Sequence, residues 1–157
     1  MIRLTPMTPP EFDAFWERAI PEYAEEKVRA GNWLADGALE QAFGAFRELL
    51  PNGLATPGNH LFSIELSATG QTAGLIWLAE ERSGAPPTGA IFELYVEEGF
   101  RRRGIARQAM LAIEPIARQF GLQSLRLHVF GHNAPARALY ESLGYGVTNV
   151  NMAKPLM

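Results

Sequence analysis

Apolar positions in the first third of the chain recur with a helical period. Phe12, Phe15, Trp16, Ile20 and Tyr23 form one stripe, and Val28 extends it before Gly31-Asn32 closes it. Thr8-Pro9-Pro10-Glu11 stands just ahead of the stripe. Thr8 is suited to cap a helix, and Glu11, three residues on, completes a capping box. Pro21 interrupts the stripe, which predicts two helical pieces or a kink. Leu39, Phe43, Phe46 and Leu50 predict a further helix from about Ala38 to Leu50, stopped by Pro51-Asn52-Gly53. Ahead of all this, Ile2-Arg3-Leu4 alternates as a short first strand.

The period then changes to two. From His60 to Ala68, Phe62, Ile64 and Leu66 alternate with Leu61, Ser63, Glu65 and Ser67, as in a strand. Thr69-Gly70-Gln71 turns the chain, and Ala73 to Glu80 returns as a hairpin partner. A loop spans Ser83 to Gly89, and Ala90 to Glu97 is another strand. Between Gly104 and Gly121 the helical stripe is Ile105, Ala109, Ile113, Ile116 and Phe120; Pro115 lies inside it and predicts a kink near Leu111. Ser124 to Phe130 is a strand. Asn133 opens a short helix with Ala136, Leu139, Tyr140 and Leu143 facing inward, and Val147 to Met152 is a last strand. The strand–helix–strand unit at 90–130 requires a crossover and a parallel pair, while the hairpin at 60–80 is antiparallel. The expected fold is α/β (α+β): a mixed, mostly antiparallel central sheet of about 6–7 strands, flanked by helices on both faces.

Composition narrows the chemistry. The 157 residues suit a single domain, 1–157, and 47% hydrophobic with 20% charged residues excludes a disordered chain. The absence of cysteine excludes a disulfide scaffold, a thiolate zinc site and a cysteine-borne acyl intermediate. No His/Asp/Glu grouping has metal-ligand spacing, and no G-x-S-x-G occurs, so no metal and no serine-hydrolase elbow is expected. No apolar run approaches the length of about 18 residues that a membrane helix needs. The N-terminus lacks the features of a signal peptide, so a cytoplasmic protein without membrane contact is expected.

The net charge of −3 divides unevenly: residues 1–100 carry −9 and residues 101–157 carry +6. With pI ≈ 5.6 and no aromatic-rich basic stripe, nucleic acid is not an expected partner.

The basic half begins at a chemically suggestive place. Val96-Glu97-Glu98-Gly99-Phe100-Arg101-Arg102-Arg103-Gly104-Ile105-Ala106-Arg107 leaves a strand and enters a helix, with four arginines within seven residues. The first turn of a helix has unpaired N–H groups and partial positive charge. A glycine there lets a ligand approach the backbone. The stretch suits an anion such as a pyrophosphate, or else is a solvated basic helix start.

Arg101-x-x-Gly104-x-Ala106 resembles the Q/R-x-x-G-x-G/A acetyl-CoA signature of the GCN5-related N-acetyltransferases (GNAT). It follows the strand Phe92-Glu93-Leu94-Tyr95-Val96 and opens a helix, as that signature does. His132-Asn133-x-x-Ala136-x-x-Leu139-Tyr140-x-x-Leu143-Gly144-Tyr145 resembles the family's second signature. Tyr23 to Trp33 is similar to a segment of a bacterial acetyltransferase branch. The resemblance implies a GNAT fold with an acetyl-CoA-binding core at 58–150 and substrate-side helices at 1–57. It implies a monomer or homodimer that transfers acetyl from acetyl-CoA to a primary amine of a small molecule or peptide, by direct attack in a ternary complex. The alternative on the same fold is a non-catalytic acyl-CoA-binding or sensor module.

The resemblance also implies residue roles. The backbone of Leu94, Tyr95 and Val96 would pair with the pantetheine arm, and an N–H near Val96 would face the thioester carbonyl. Behind Arg101, the amides of Arg102, Arg103, Gly104, Ile105, Ala106 and Arg107 would hold the pyrophosphate. Asn133 and Ala136 would meet the cofactor arm, Asn133 being otherwise a helix cap. Tyr140 would protonate the leaving thiolate, or else is a core tyrosine. The family's best-known glutamate base would fall at Ala90. Glu93, three residues later, is the candidate base here, with Glu80, His60 and His128 as rivals. Trp16, Tyr23, Glu26 and Trp33 would line the acceptor pocket, or else are core aromatics beside solvated charge.

Overall fold

The computed structural model describes every residue except Ala85, which falls within the loop expected at 83–89. Its elements are β1 (Ile2–Pro6), α1 (Pro9–Arg29), α2 (Ala38–Leu49), β2 (Asn59–Leu66), β3 (Thr72–Glu81), β4 (Thr88–Val96), α3 (Ile105–Gln119), β5 (Ser124–Leu127) and α4 (Ala134–Ser142). Short 3₁₀ turns stand at Gly53–Ala55 and Glu98–Phe100. The sheet runs in the order β1-β2-β3-β4-β5. Its first four strands pair antiparallel, and β4 pairs β5 parallel.

Helices cover both faces. On one, Phe15, Ala19 and Ile20 of α1 and Ala42 and Phe46 of α2 pack on Leu61, Leu75 and Trp77. On the other, Met110, Ile113 and Ala117 of α3 pack on Ile76, Leu78 and Ile91. β3 supplies both cores because successive side chains of a strand point to opposite faces.

The sheet has five strands among the described residues, fewer than the six or seven expected. Val147 to Met152 forms no strand. Its apolar residues, Val147, Val150 and Met152, do not keep a period of two, and all are exposed. The strand expected at Ser124 to Phe130 ends at Leu127.

Two helix expectations change, the break at Pro21 and the buried stripe of α2. Thr8 and Glu11 form the capping box as expected, and of the two outcomes expected at Pro21 the separate pieces are excluded, because α1 runs through it as one helix. Phe15, Ala19, Ile20 and Ala24 are buried on both sides of the proline, so packing outweighs the lost hydrogen bond. α3 likewise continues through Pro115. In α2 the buried line is Ala38, Ala42 and Phe46, with Leu50 just beyond, while Leu39 is 56% and Phe43 44% exposed. The small alanines let α2 approach α1, which turns the bulkier stripe toward solvent.

Gly74 of β3 lies opposite Val96, at the functional end of β4. A Cβ placed there would sit 2.0 Å from the Tyr95 carbonyl oxygen. That atom belongs to a backbone in a packed sheet and cannot swing aside. We expect Gly74→Ala to destabilise the fold by about 2–3 kcal/mol in urea unfolding. A loss under about 0.5 kcal/mol, the scatter of neutral substitutions, would show that the sheet absorbs the clash.

Candidate active site

β4 carries one residue more than its partner. Trp77 pairs with Glu93 but Leu78 pairs with Ile91, which leaves Phe92 as a bulge. The bulge puts Phe92 on the α1–α2 side, its ring edge-on to Trp77 at 5.2 Å. Phe92 therefore does not share a face with Leu94 and Val96, as strict alternation along a strand would require; those two pack toward α3. Glu93 and Tyr95 share the α1 side with Trp77 and Leu75, their cross-strand partners.

The bulge also marks where the sheet opens. β4 and β5 pair only over Thr88–Ile91 and Ser124–Leu127. Past Ile91, β4 continues for five residues with no strand beside it on that side. Glu97 donates its N–H to the Ala73 carbonyl at 2.7 Å. By the alternation of an antiparallel ladder, Glu93 and Tyr95 also turn their backbone groups to β3, while Leu94 and Val96 turn theirs away, into the opening. Arg101 Nε takes up the Val96 carbonyl at 2.8 Å.

Below the opening, α3 begins without a cap. Gly104 adopts φ +74°, supplies no side-chain hydrogen bond, and has no atom within 4 Å of where a Cβ would stand. Arg102 holds φ +64°, a left-handed conformation that costs a non-glycine residue energy. The first amides of α3 therefore receive no side-chain cap. The arginines divide. Arg101 is tied to Val96, and Arg107 Nη1 donates to Ser142 Oγ at 2.9 Å, fastening α3 to α4. Arg102 and Arg103 are exposed and form no ion pair among the described residues.

On the other flank, Asn133 Oδ1 accepts the Ala136 N–H at 3.3 Å and so caps α4. Tyr140 is half-buried, its ring 6.1 Å from that of Tyr145. Burial raises its phenol above the ordinary range, and the negative charge of Glu93 raises it further. Burial pushes the Glu93 carboxyl from an ordinary 4.5 up to about 7; Arg18 opposes this rise and Glu22 adds to it. The Glu93 charge thus reaches the Tyr140 phenol.

Residues 12–145 match the profile of the Acetyltransferase (GNAT) family. The chain belongs to that family. The acetyltransferase is 40% identical over 155 residues to the N-acetyltransferase YycN of Bacillus subtilis, covering 99% of each chain. It is 33% identical to YdgE of the same organism, covering 98% of this chain and 97% of that one. Its fold superposes on the crystal structure of YycN with a TM-score of 0.94 at 39% identity, covering 100% of this chain and 99% of the other.

The residues expected at the acetyltransferase's acceptor side fall into separate groups. Tyr23 and Trp33 meet edge-on at 5.6 Å, with the Lys27 ammonium 5.6 and 5.5 Å from their rings. Glu26 pairs with His132, whose ring stacks on Phe130, and so ties α1 to the segment between β5 and α4. Trp16 is held by Phe12, Phe43 and Phe46 in the α1–α2 aromatic cluster. Two rivals to Glu93 are engaged elsewhere. Glu80 bonds His60 at 2.6 Å and pairs with Arg82, and the His60 ring stacks on Phe120 at 4.1 Å. His128 packs edge-on against Phe130 at 4.8 Å; burial lowers its pKa, helped by Lys27 and Arg126.

Arg18 and Glu22 were missed by sequence reasoning. Their spacing from Phe15, three and seven residues, puts them on a shared helix face, a signal that the attention to aromatic positions passed over.

Proposed function

We propose that this acetyltransferase moves acetyl from acetyl-CoA to a primary amine of a small molecule or peptide, by direct attack within a ternary complex. Bound acetyl-CoA supplies an acyl group activated as a thioester. The observation that carries this reading is the stretch of β4 left without a neighbour past Ile91, together with the uncapped start of α3 and a Glu93 charge that reaches the Tyr140 phenol.

The residues present fit such a ligand. Leu94 and Val96 offer strand-like backbone groups to the amides of a pantetheine arm. The Val96 N–H donates to the carbonyl oxygen as negative charge builds on it. The amides of Ile105, Ala106 and Arg107, beside Gly104 and the Arg102 and Arg103 side chains, hold the pyrophosphate. Asn133 keeps its side-chain NH₂ for the cofactor arm while its oxygen caps α4, and Ala136 leaves room beside it.

Glu93 accepts a proton from the acceptor's ammonium, which frees the nitrogen lone pair to form the new C–N bond. Tyr140 donates its proton to the sulfur as the C–S bond breaks. The acceptor nitrogen gives up two protons in all, one to Glu93 and one through water back to Tyr140, and Glu93 returns its own to solvent. Tyr23, Trp33 and Glu26 stand on the acceptor side, where Lys27 and His132 already meet them, with Trp16 in the aromatic cluster of α1 and α2.

Thermal shift and hydrogen exchange test the cofactor assignment. Acetyl-CoA is expected to raise Tm and to slow amide exchange over residues 101–107, and thiol release should follow with amines of the right class. Reversing charge in Arg102→Glu/Arg103→Glu is expected to raise KM for acetyl-CoA about tenfold or more, as loss of a charge-assisted contact or two would. Absence of both stabilisation and protection overturns the reading. Binding without thiol release across polyamines, amino acids and peptide N-termini identifies the non-catalytic module instead.

A further inference from the structure

α1 reaches toward the same opening with charge. Phe15 of α1 is buried in the core beneath β3, and Arg18 and Glu22 follow it one and two turns later on the same side of the helix. The Arg18 guanidinium lies on the Tyr95 ring, its carbon 3.4 Å from the ring centroid. Tyr95 stands two residues after Glu93, beyond the bulge, so the two side chains leave β4 on one face. The stack therefore sets the guanidinium beside the Glu93 carboxyl.

Hydrogen bonding at Arg18 is half complete. Nη1 donates to Glu22 at 2.6 Å. Nη2 is buried with no partner, the one such side-chain polar atom among the described residues. A buried cationic donor without an acceptor is expensive and normally has a function that explains it. Glu93, half-buried, also makes no side-chain hydrogen bond among the described residues, and its ionisation responds to both Arg18 and Glu22. A guanidinium nitrogen without an acceptor and a titratable acid without a donor thus share one face of the sheet.

We propose that Arg18 is a positioning residue for the transfer: held between the Tyr95 ring and the Glu22 carboxylate, it is the counter-ion that Glu93 turns to when ionised. The inference rests on the reading of Glu93 as the base. In the ionised state the carboxylate meets Nη2, and both groups are satisfied. When Glu93 takes the acceptor's proton, the pairing weakens and the neutral acid is free to turn to solvent and release it. Glu22 does two things: it fixes the guanidinium by the (i, i+4) bond, and its own negative charge tempers the pull of Arg18 on Glu93. The groups that face Glu93 are Arg18 and Glu22 from α1, Tyr95 of its own strand and Tyr140 from α4. Arg101 approaches the Tyr95 ring at 5.6 Å while bonded to Val96.

The test follows the Glu93 carboxyl carbon by NMR titration of the ligand-free protein, assigned by its loss in Glu93→Gln. In Arg18→Met the midpoint is expected to rise by about one pH unit or more. Arg18→Lys keeps the charge and should restore most of the difference. Glu22→Gln is expected to move the midpoint down. Packing alone would not produce shifts of opposite sign from the two variants. An unmoved midpoint in Arg18→Met, or an upward shift in Glu22→Gln, overturns the proposal. Should Arg18→Met fail to fold, Glu22→Gln and Arg18→Lys decide it by the same signs. The acid limb of kcat/KM is then measured in the same variants and should follow the midpoint. If the midpoint moves and the acid limb stays, the pairing stands and the reading of Glu93 as base falls.

Discussion

Replacing Glu93 with glutamine is expected to lower kcat by about 10²–10⁴-fold, the range for loss of a general base. The KM for acetyl-CoA should stay close to that of the parent protein. The side chain faces α1, away from the strand edge where Leu94 and Val96 would bind the cofactor. Its raised carboxyl, pushed to about 7, makes the parent's kcat/KM climb through neutral pH as the base ionises. That acid limb should vanish in Glu93→Gln.

The same variant makes a prediction of opposite sign for stability. An acid whose pKa is higher folded than unfolded holds its proton longer in the folded state. Folding stability then falls as pH rises from about 4.5 to about 7, and stays lower above that. At 1.36 kcal/mol per unit this amounts to about 3 kcal/mol at most. Glutamine has no charge to desolvate. Glu93→Gln should therefore match the parent in urea unfolding near pH 4 and exceed it at pH 8. An enzyme made more stable and nearly inactive by one substitution is the signature of a buried group kept for chemistry. A variant that keeps its turnover, or one less stable than the parent at pH 8, would remove Glu93 from the role.

Much of this was legible from short-range chemistry. The capping box at Thr8–Glu11, the α3 start at Gly104 and the cap at Asn133 each need only a few adjacent residues. The hairpin of β2 and β3 and the parallel return of β5 follow from periodicity and turn residues. The features that shape the opening are of another kind. The bulge at Phe92 exists only as a mismatch in count between β3 and β4, and neither strand alone displays it. Plain alternation along β4 would put Phe92 on the wrong face for that reason. Arg18 and Glu22 look like an ordinary (i, i+4) surface pair until Tyr95 is brought beneath them. In α2, size misled: Leu39 and Phe43 were the conspicuous residues, yet the alanines make the contact. The missing final strand is a failure of propensity, where two valines and a methionine among asparagines suggested a pattern with no surface to pack on.

Tyr140→Phe is expected to lower kcat by about 10²-fold or more, with the fold and cofactor affinity nearly unchanged. The ring is half-buried among apolar neighbours, and its hydroxyl has no hydrogen-bond partner among the described residues, so phenylalanine preserves the packing. On the proposed mechanism, what it removes is the proton for the sulfur. At rest Tyr140 is a reluctant donor, since burial and the Glu93 charge both hold its phenol above the ordinary range. The second of those causes is conditional. Once Glu93 takes the acceptor's proton its charge is gone, and the phenol becomes more acidic at the stage when the thiolate needs a proton. On that mechanism base and acid are coupled with a useful sign: proton uptake by Glu93 eases proton release from Tyr140. Two measurements follow. Ultraviolet phenolate titration should give a lower midpoint for Tyr140 in Glu93→Gln than in the parent, identified by its absence in Tyr140→Phe. In kinetics, the double variant should lose less than the product of the two single losses, because Tyr140 can no longer respond to a proton that Glu93 does not take. Fully multiplicative losses, with an unmoved phenol, would mean that the two residues act independently.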